Sequence, residues 1–182
     1  MAEKLIIKNA RLSYAHLFKA DAIAEGSEPK FSASIIIRKD DPQVANIKTA
    51  LWKALQARFA DKLKSGSWPS SLHNPLKDGD EMADDHPEYA GCWVLRSSSK
   101  TRPIVLGRRK EALTEEDGVI YSGCFCNFSL AAAAFDAQAK KGVTVYLNGV
   151  QFVQDGDRLA GFDATNDFDS LDEDEDSGDL PW

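Results

Sequence analysis

Apolar and polar positions alternate over residues 5–14, which predicts a strand with Leu5 and Ile7 on one face and Ile6, Lys8, Ala10 and Leu12 on the other. Gly26 and Pro29 punctuate a polar loop, and the chain resumes as strand over 31–37, ending at Arg38-Lys39-Asp40-Asp41-Pro42. That ending is a helix start: Asp40 or Asp41 can cap, and Pro42 fits a first turn where its missing N–H costs nothing. Val44, Ile47, Leu51, Leu55, Phe59 and Leu63 then recur at three- and four-residue spacing, so one stripe of a helix at about 42–63 faces a core. Lys48, Lys53, Arg58, Lys62 and Lys64 make its opposite flank basic. Residues 65–87 are rich in Gly, Pro, Ser and Asp and read as a long excursion containing Trp68. Strand patterns return at 89–97, 103–106, 119–134 and 142–155, with turns at Gly118, Gly142 and Asp155-Gly156-Asp157. Many strands and one helix predict a mainly β fold, an antiparallel barrel or sandwich with the helix packed on it. Closing a small barrel removes the exposed edges.

Charge divides the chain. It carries 22 basic and 29 acidic residues, and nine of the acidic ones lie in residues 163–182, which hold no basic residue. Residues 1–162 are therefore near +2 and the tail near −9. Such a run cannot offset its ordering entropy by burial, so 163–182 is expected to be a disordered acidic tail behind a folded domain at 1–162. It ends in Asp179-Leu180-Pro181-Trp182, an apolar tip on a solvated tether, which points to docking on a partner. No stretch approaches the ~20 apolar residues that span a bilayer, and three cysteines without framework spacing suit a reducing compartment. The expected location is cytoplasmic, with no membrane partner.

Catalytic chemistry finds little support. G-x-S-x-G, P-loop and dinucleotide-binding glycine patterns are missing, and His16, His73 and His86 lack partners at catalytic spacing. Cys92, Cys124 and Cys126 with His73 or His86 would supply four zinc ligands. Structural zinc sites use knuckles in turns, however, and Cys124-x-Cys126 sits on a strand pattern, so small buried hydrophobes are the better reading. Asp172, Asp174 and Asp176 alternate as in a calcium loop, but the sixth position is Ser177 and the chain ends before the twelfth. Asp78, Asp80, Glu81, Asp84 and Asp85 could be proposed as a nuclease cluster; with no lysine or histidine organised around them, a solvated loop is expected. No cofactor and no metal are expected.

What remains is a mixture of cations and rings. Lys30, Arg38, Lys39, Arg96, Lys100, Arg102, Arg108 and Arg109 could follow phosphates, and Tyr14, Phe31, Trp93, Tyr121 and Phe125 could stack bases. Single-stranded nucleic acid needs this combination, and stacking contributes ~1–3 kcal/mol per base with little sequence preference. Against it stands the ordinary role of strand aromatics, which is to fill the core.

The acidic run with Asp179-Leu180-Pro181-Trp182 resembles the C-terminus of bacterial single-stranded-DNA-binding proteins, with Leu for the usual Ile and Trp for the usual Phe. The body is similar instead to single-stranded-DNA-binding proteins of tailed phages in the Enc34-like family. The matching stretches are Ala10-Arg11-Leu12-Ser13-Tyr14, residues 31–40, Arg102-Pro103, Ile120-Tyr121-Ser122-Gly123 and, most strongly, residues 141–156. The resemblance implies an OB-fold, a five-stranded barrel whose face and loops bind oligonucleotides. It also implies a non-catalytic protein that holds single-stranded DNA during phage replication or recombination, with replication or recombination proteins recruited through Asp179, Leu180, Pro181 and Trp182. Self-association into a homo-oligomer is left open. Two rival readings make different demands: a DNA-mimic or protein-interaction module would bind no oligonucleotide, and a metal-dependent nuclease would cleave one.

Overall fold

The computed structural model describes residues 2–22, 25–137 and 139–159; the acidic tail and its tip lie outside them. The elements are β1 (Glu3–Asp21), β2 (Lys30–Arg38), α1 (Gln43–Phe59), β3 (Leu76–Asp78), β4 (Cys92–Ser99), β5 (Ile104–Leu106), β6 (Phe125–Ala137) and β7 (Lys140–Gln154). Antiparallel pairing joins β4 to β2, β2 to β1, β1 to β6 and β6 to β7. The circuit closes where Ser98 of β4 meets Tyr146 of β7 in parallel, and β5 prolongs that seam from Ile104 opposite Gly149 to Leu106 opposite Gln151. The result is a closed five-stranded OB-type barrel. Four of its seams are antiparallel and the closing one is parallel.

β1 is longer than the pattern predicts and its facing differs. Leu5, Ile7, Ala10 and Leu12 are all buried, whereas strict alternation puts the last two outside. The cause is a bulge: Asn9 has φ 51° and the register against β6 shifts between Ile7 and Ala10. Its freed backbone groups find side-chain partners. Gln43 accepts from the Lys8 N–H and donates to the Lys8 carbonyl, both at 2.8 Å, and Asn127 accepts from the Asn9 N–H at 2.9 Å. The bulge therefore also pins the start of α1, where Asp41 accepts from the Gln43 N–H at 2.9 Å. From there Ile47, Leu51, Ala54, Leu55 and Phe59 turn inward, against β1 and β6. Burying each of the Ile, Leu and Phe side chains contributes roughly 1.5–3 kcal/mol.

Two further expectations change. The strand foreseen from 119 begins only at Phe125. Upstream of it, Leu12 bonds Gly123 and Cys124, and Gly123 (φ 117°) lies so close to Asp157 that a side chain would collide with it. Tyr121 thus does not share a strand face with Phe125. The excursion at 65–87 is also more than a loop. It supplies β3, which pairs with β4, and His73 bridges to Gly142 on β7. Trp68 anchors it by donating to the Leu72 carbonyl at 3.0 Å and packing 6.4 Å from Trp52.

Candidate nucleic-acid interface

Outside the barrel, the alternation that buries Ala33, Ile35 and Leu95 turns small polar residues outward. Ser34 and Arg96 are registered across β2 and β4, while Ser13, opposite Ser34 on β1, is buried. One pleat further, His16, Ser32, Ser98 and Tyr146 are registered across β1, β2, β4 and β7. At ~4.8 Å per strand this second row is about 14 Å long. Serines make a low floor between rings, because they leave the backbone approachable and offer hydroxyls. Tyr146 stands at one side, 45% exposed. At the other, Tyr14 adopts φ 46°, is 48% exposed and meets His86 edge-on at 5.6 Å, with its hydroxyl 3.1 Å from His86 Nδ1. His86 in turn lies 5.0 Å from Tyr89, which is buried and shares a 3.2 Å hydrogen bond with Ser13.

Beside this floor opens a cleft of about 670 Å³ between the excursion and the β6–β7 turn, lined by Trp68, His73, Lys77, Lys140 and Lys141 among others. The His73 bridge holds it together, since His73 N–H donates to the Lys141 carbonyl at 2.7 Å and Val143 N–H to the His73 carbonyl at 3.1 Å. Its field is positive. Burial lowers the His73 pKa to about 4, with the charges of Lys140, Lys77 and Arg96 adding to the effect. Lys77, Lys140 and Arg96 have no ion-pair partner among the described residues, whereas Lys141 pairs with Asp136 at 3.6 Å. Unpaired cations beside a wide cleft are an anion site in waiting.

The residues expected from sequence to contact DNA fall into two groups. Arg96 and Tyr14 border the serine floor, and Lys30, Phe31, Lys100 and Arg102 belong to the chain ends that frame its near side. There Phe31 is registered with Ser99, Lys100 pairs with Glu28 at 3.2 Å and Arg102 covers Phe18 at 5.6 Å. The others lie elsewhere. Arg38, Lys39 and Trp93 occupy the opposite end of the β2–β4 pair. Lys39 is bonded to Asp78 at 2.7 Å and Asp80 at 2.6 Å, which raises its own pKa and, with the Gly91 N–H on Asp80, keeps both carboxyls below their usual range. The acidic loop is thus organised by a lysine that its sequence neighbourhood does not show. Trp93 is half-buried, with the ammonium groups of Lys48 and Lys39 at 4.3 and 5.2 Å from its ring. Arg108 and Arg109 follow β5. Tyr121 donates to Asp155 at 2.9 Å beneath Arg158, and Phe125 lies 6.0 Å from the Arg11 guanidinium.

As DNA contacts, sequence reading passed over Lys77, Lys140, Lys141, His16, Tyr146 and the floor serines Ser32, Ser34 and Ser98. Part of this was legible: Tyr146 sits between buried Val145 and Leu147, and Lys140-Lys141-Gly142 marks a basic hairpin tip. Cys124 and Cys126 are buried with sulfurs 3.5 Å apart. No group of three or more metal-ligating side chains occurs among the described residues. No helix among them is long and apolar enough to cross a membrane.

Barrel topology and an exposed basic, ring-flanked face define the class, an OB-type barrel. Residues 3–178 match the family described as Enterobacter phage Enc34, ssDNA-binding protein, and the chain belongs to that family, whose members are binding proteins rather than enzymes. It is 32% identical over 163 residues, 87% of each chain, to putative protein p50 of Acyrthosiphon pisum secondary endosymbiont phage 1. Among solved structures it is similar to the single-stranded DNA-binding protein from bacteriophage Enc34 in complex with ssDNA, with TM-score 0.75 and 29% identity over 87% of this chain and 90% of that one. The single-stranded DNA-binding protein gp2.5 encoded by bacteriophage T7 shares the fold at TM-score 0.63, with 14% identity over 98% of this chain and 100% of that one.

Proposed function

We propose that this chain is a non-catalytic, largely sequence-independent single-stranded-DNA-binding protein that protects such DNA during phage replication or recombination. Bases would lie on the serine floor between Tyr14 and Tyr146, and phosphates would follow Arg96 into the cleft of Lys77 and Lys140. Lys30, Phe31, Lys100 and Arg102 would extend the track. The observation that carries this reading is the continuity of unpaired Arg96, Lys77 and Lys140 with a ring-flanked small-residue face. Cations there bind any phosphodiester, and rings stack any base, so sequence tolerance follows.

The acidic tail has a place in the same scheme. The described chain leaves the barrel at Leu159, which packs on Ile36, Tyr89 and Val94 next to that face. A polyanion tethered there competes with DNA for the cations, while Asp179, Leu180, Pro181 and Trp182 serve replication or recombination partners. Deleting 163–182 then raises DNA affinity, most at low salt.

The test is a titration of full-length and tail-less protein with oligo-dT and with duplex of equal length. The proposal expects single-strand binding that falls with salt. Absence of oligonucleotide binding by both proteins would overturn it in favour of a DNA-mimic or protein-interaction module.

A further inference from the structure

Tyr14 owes its place beside the serine floor to a break in β1. Between Ser13, opposite Ser34, and His16, opposite Ser32, β1 carries Tyr14 and Ala15 where β2 carries Ala33 alone. The extra residue makes a bulge, and bulges turn a side chain out of the alternation around them. Tyr14 meets that demand at φ 46°, in the left-handed region that a bulky side chain seldom enters. Backbone held there is over-determined by its surroundings, and such positions gather at working sites. A half-exposed ring on a strained bulge needs something to hold it.

What holds it is His86, 72 positions further along the chain. The two rings meet edge-on, and the Tyr14 hydroxyl lies 3.1 Å from His86 Nδ1. Nδ1 accepts from the hydroxyl when neutral and donates to its oxygen when protonated, so the contact holds in either state. The Glu88 carboxylate lies 3.5 Å from the same nitrogen. His86 is itself firmly mounted. Its N–H donates to the Met82 carbonyl at 2.8 Å, its carbonyl accepts from the Tyr89 N–H at 2.9 Å, and its ring rests 5.0 Å from that of buried Tyr89. The acidic stretch fixes the turn that presents it. Asp80 accepts from the Gly91 N–H at 2.8 Å, Lys39 bridges Asp78 and Asp80, and a side chain at Gly79 would collide with the Tyr89 and Cys92 carbonyls.

We infer that His86 is a positioning residue for DNA binding: it holds the Tyr14 ring in the attitude that stacks a base, and the acidic excursion is its mount. The inference rests on the reading of Tyr14 as a stacking ring. An exposed tyrosine without a partner divides its time among rotamers, and only the competent fraction binds without first reorganising. One hydrogen bond that favours that fraction improves affinity roughly 3- to 10-fold. Asp78 and Asp80 then serve DNA binding without touching DNA, since Lys39 and the Gly91 N–H take up their charge.

Oligo-dT titrations of the full-length protein test it, with urea unfolding beside each. Tyr14→Phe keeps the ring and His86→Ala keeps Tyr14 whole, and each is expected to weaken binding roughly 3- to 10-fold. The double variant should be little weaker than either single one, because both remove the same contact. His86→Asn, which keeps an amide at the Nδ1 position, should restore most of the affinity. Wild-type affinity in Tyr14→Phe or His86→Ala would overturn the inference. So would fully additive losses, or a His86→Ala loss that tracks a lowered unfolding midpoint and is not restored by Asn. Tyr14→Ala separates the two readings. Weakened binding there beside an unaffected His86→Ala would remove the positioning role alone, whereas wild-type affinity in Tyr14→Ala would remove the stacking role and this inference together.

Discussion

His73 and Gly142 form a parallel backbone bridge that ties the excursion after α1 to the start of β7. Only glycine suits that position, because its φ is 148° and any side chain would run into the His73 backbone. The bridge sets two otherwise distant stretches of chain, carrying Lys77 and Lys140, on either side of one cleft.

Gly142→Ala is therefore expected to destabilise the fold by about 1–3 kcal/mol, measured by urea unfolding. Single-strand affinity should fall as well, because the cleft loses its strap. Unchanged stability would mean that the bridge is not a constraint.

Tyr146 and Trp93 should respond oppositely to truncation. Tyr146 stands exposed beside Ser98, so Tyr146→Ala is expected to lose ~1–3 kcal/mol of oligo-dT affinity with little change in stability. Trp93 is packed against the core beneath Lys48 and Lys39, so Trp93→Ala is expected to lower the unfolding midpoint first. Parallel binding and denaturation curves distinguish the two. Loss of affinity at full stability in the Trp93 variant would return that ring to the DNA-binding group.

His73 links pH to both folding and binding. Its folded pKa of about 4 lies below the ordinary 6.5, so the unfolded chain binds the proton more readily. Stability from this group is complete above pH 6.5 and is lost as pH falls from there to about 4. His73→Gln should flatten that slope in unfolding measured across the window. Phosphates beside Lys77, Lys140 and Arg96 offset the charges that oppose protonation, so oligo-dT should raise the His73 pKa in an NMR titration. A pKa unmoved by saturating DNA would place the phosphates elsewhere.

How much of this was readable before folding varies by residue. Ile47, Leu51, Leu55 and Phe59 announced α1 by their spacing, and the strand pattern in residues 142–155 announced β7. Local periodicity is enough for such elements because each faces one core. The bulge at Asn9 was not readable, since its partners Gln43 and Asn127 lie 35 or more positions away. Nor was the cleft, whose two sides meet only through His73 and Gly142. Arg96 and Tyr14 were selected as residue types and do border the floor. The same criterion selected Lys39, whose charge the fold spends on Asp78 and Asp80.

The salt dependence of oligo-dT affinity tests the central claim most directly, measured for the wild type and for the triple variant Arg96→Ala, Lys77→Ala, Lys140→Ala. On single strands each phosphate contact contributes about 0.7 to the slope of log K against log salt. The account predicts a slope shallower by roughly 2 in the triple variant, with weaker binding at every salt concentration and an unchanged unfolding midpoint. An identical slope and affinity in the two proteins would contradict it.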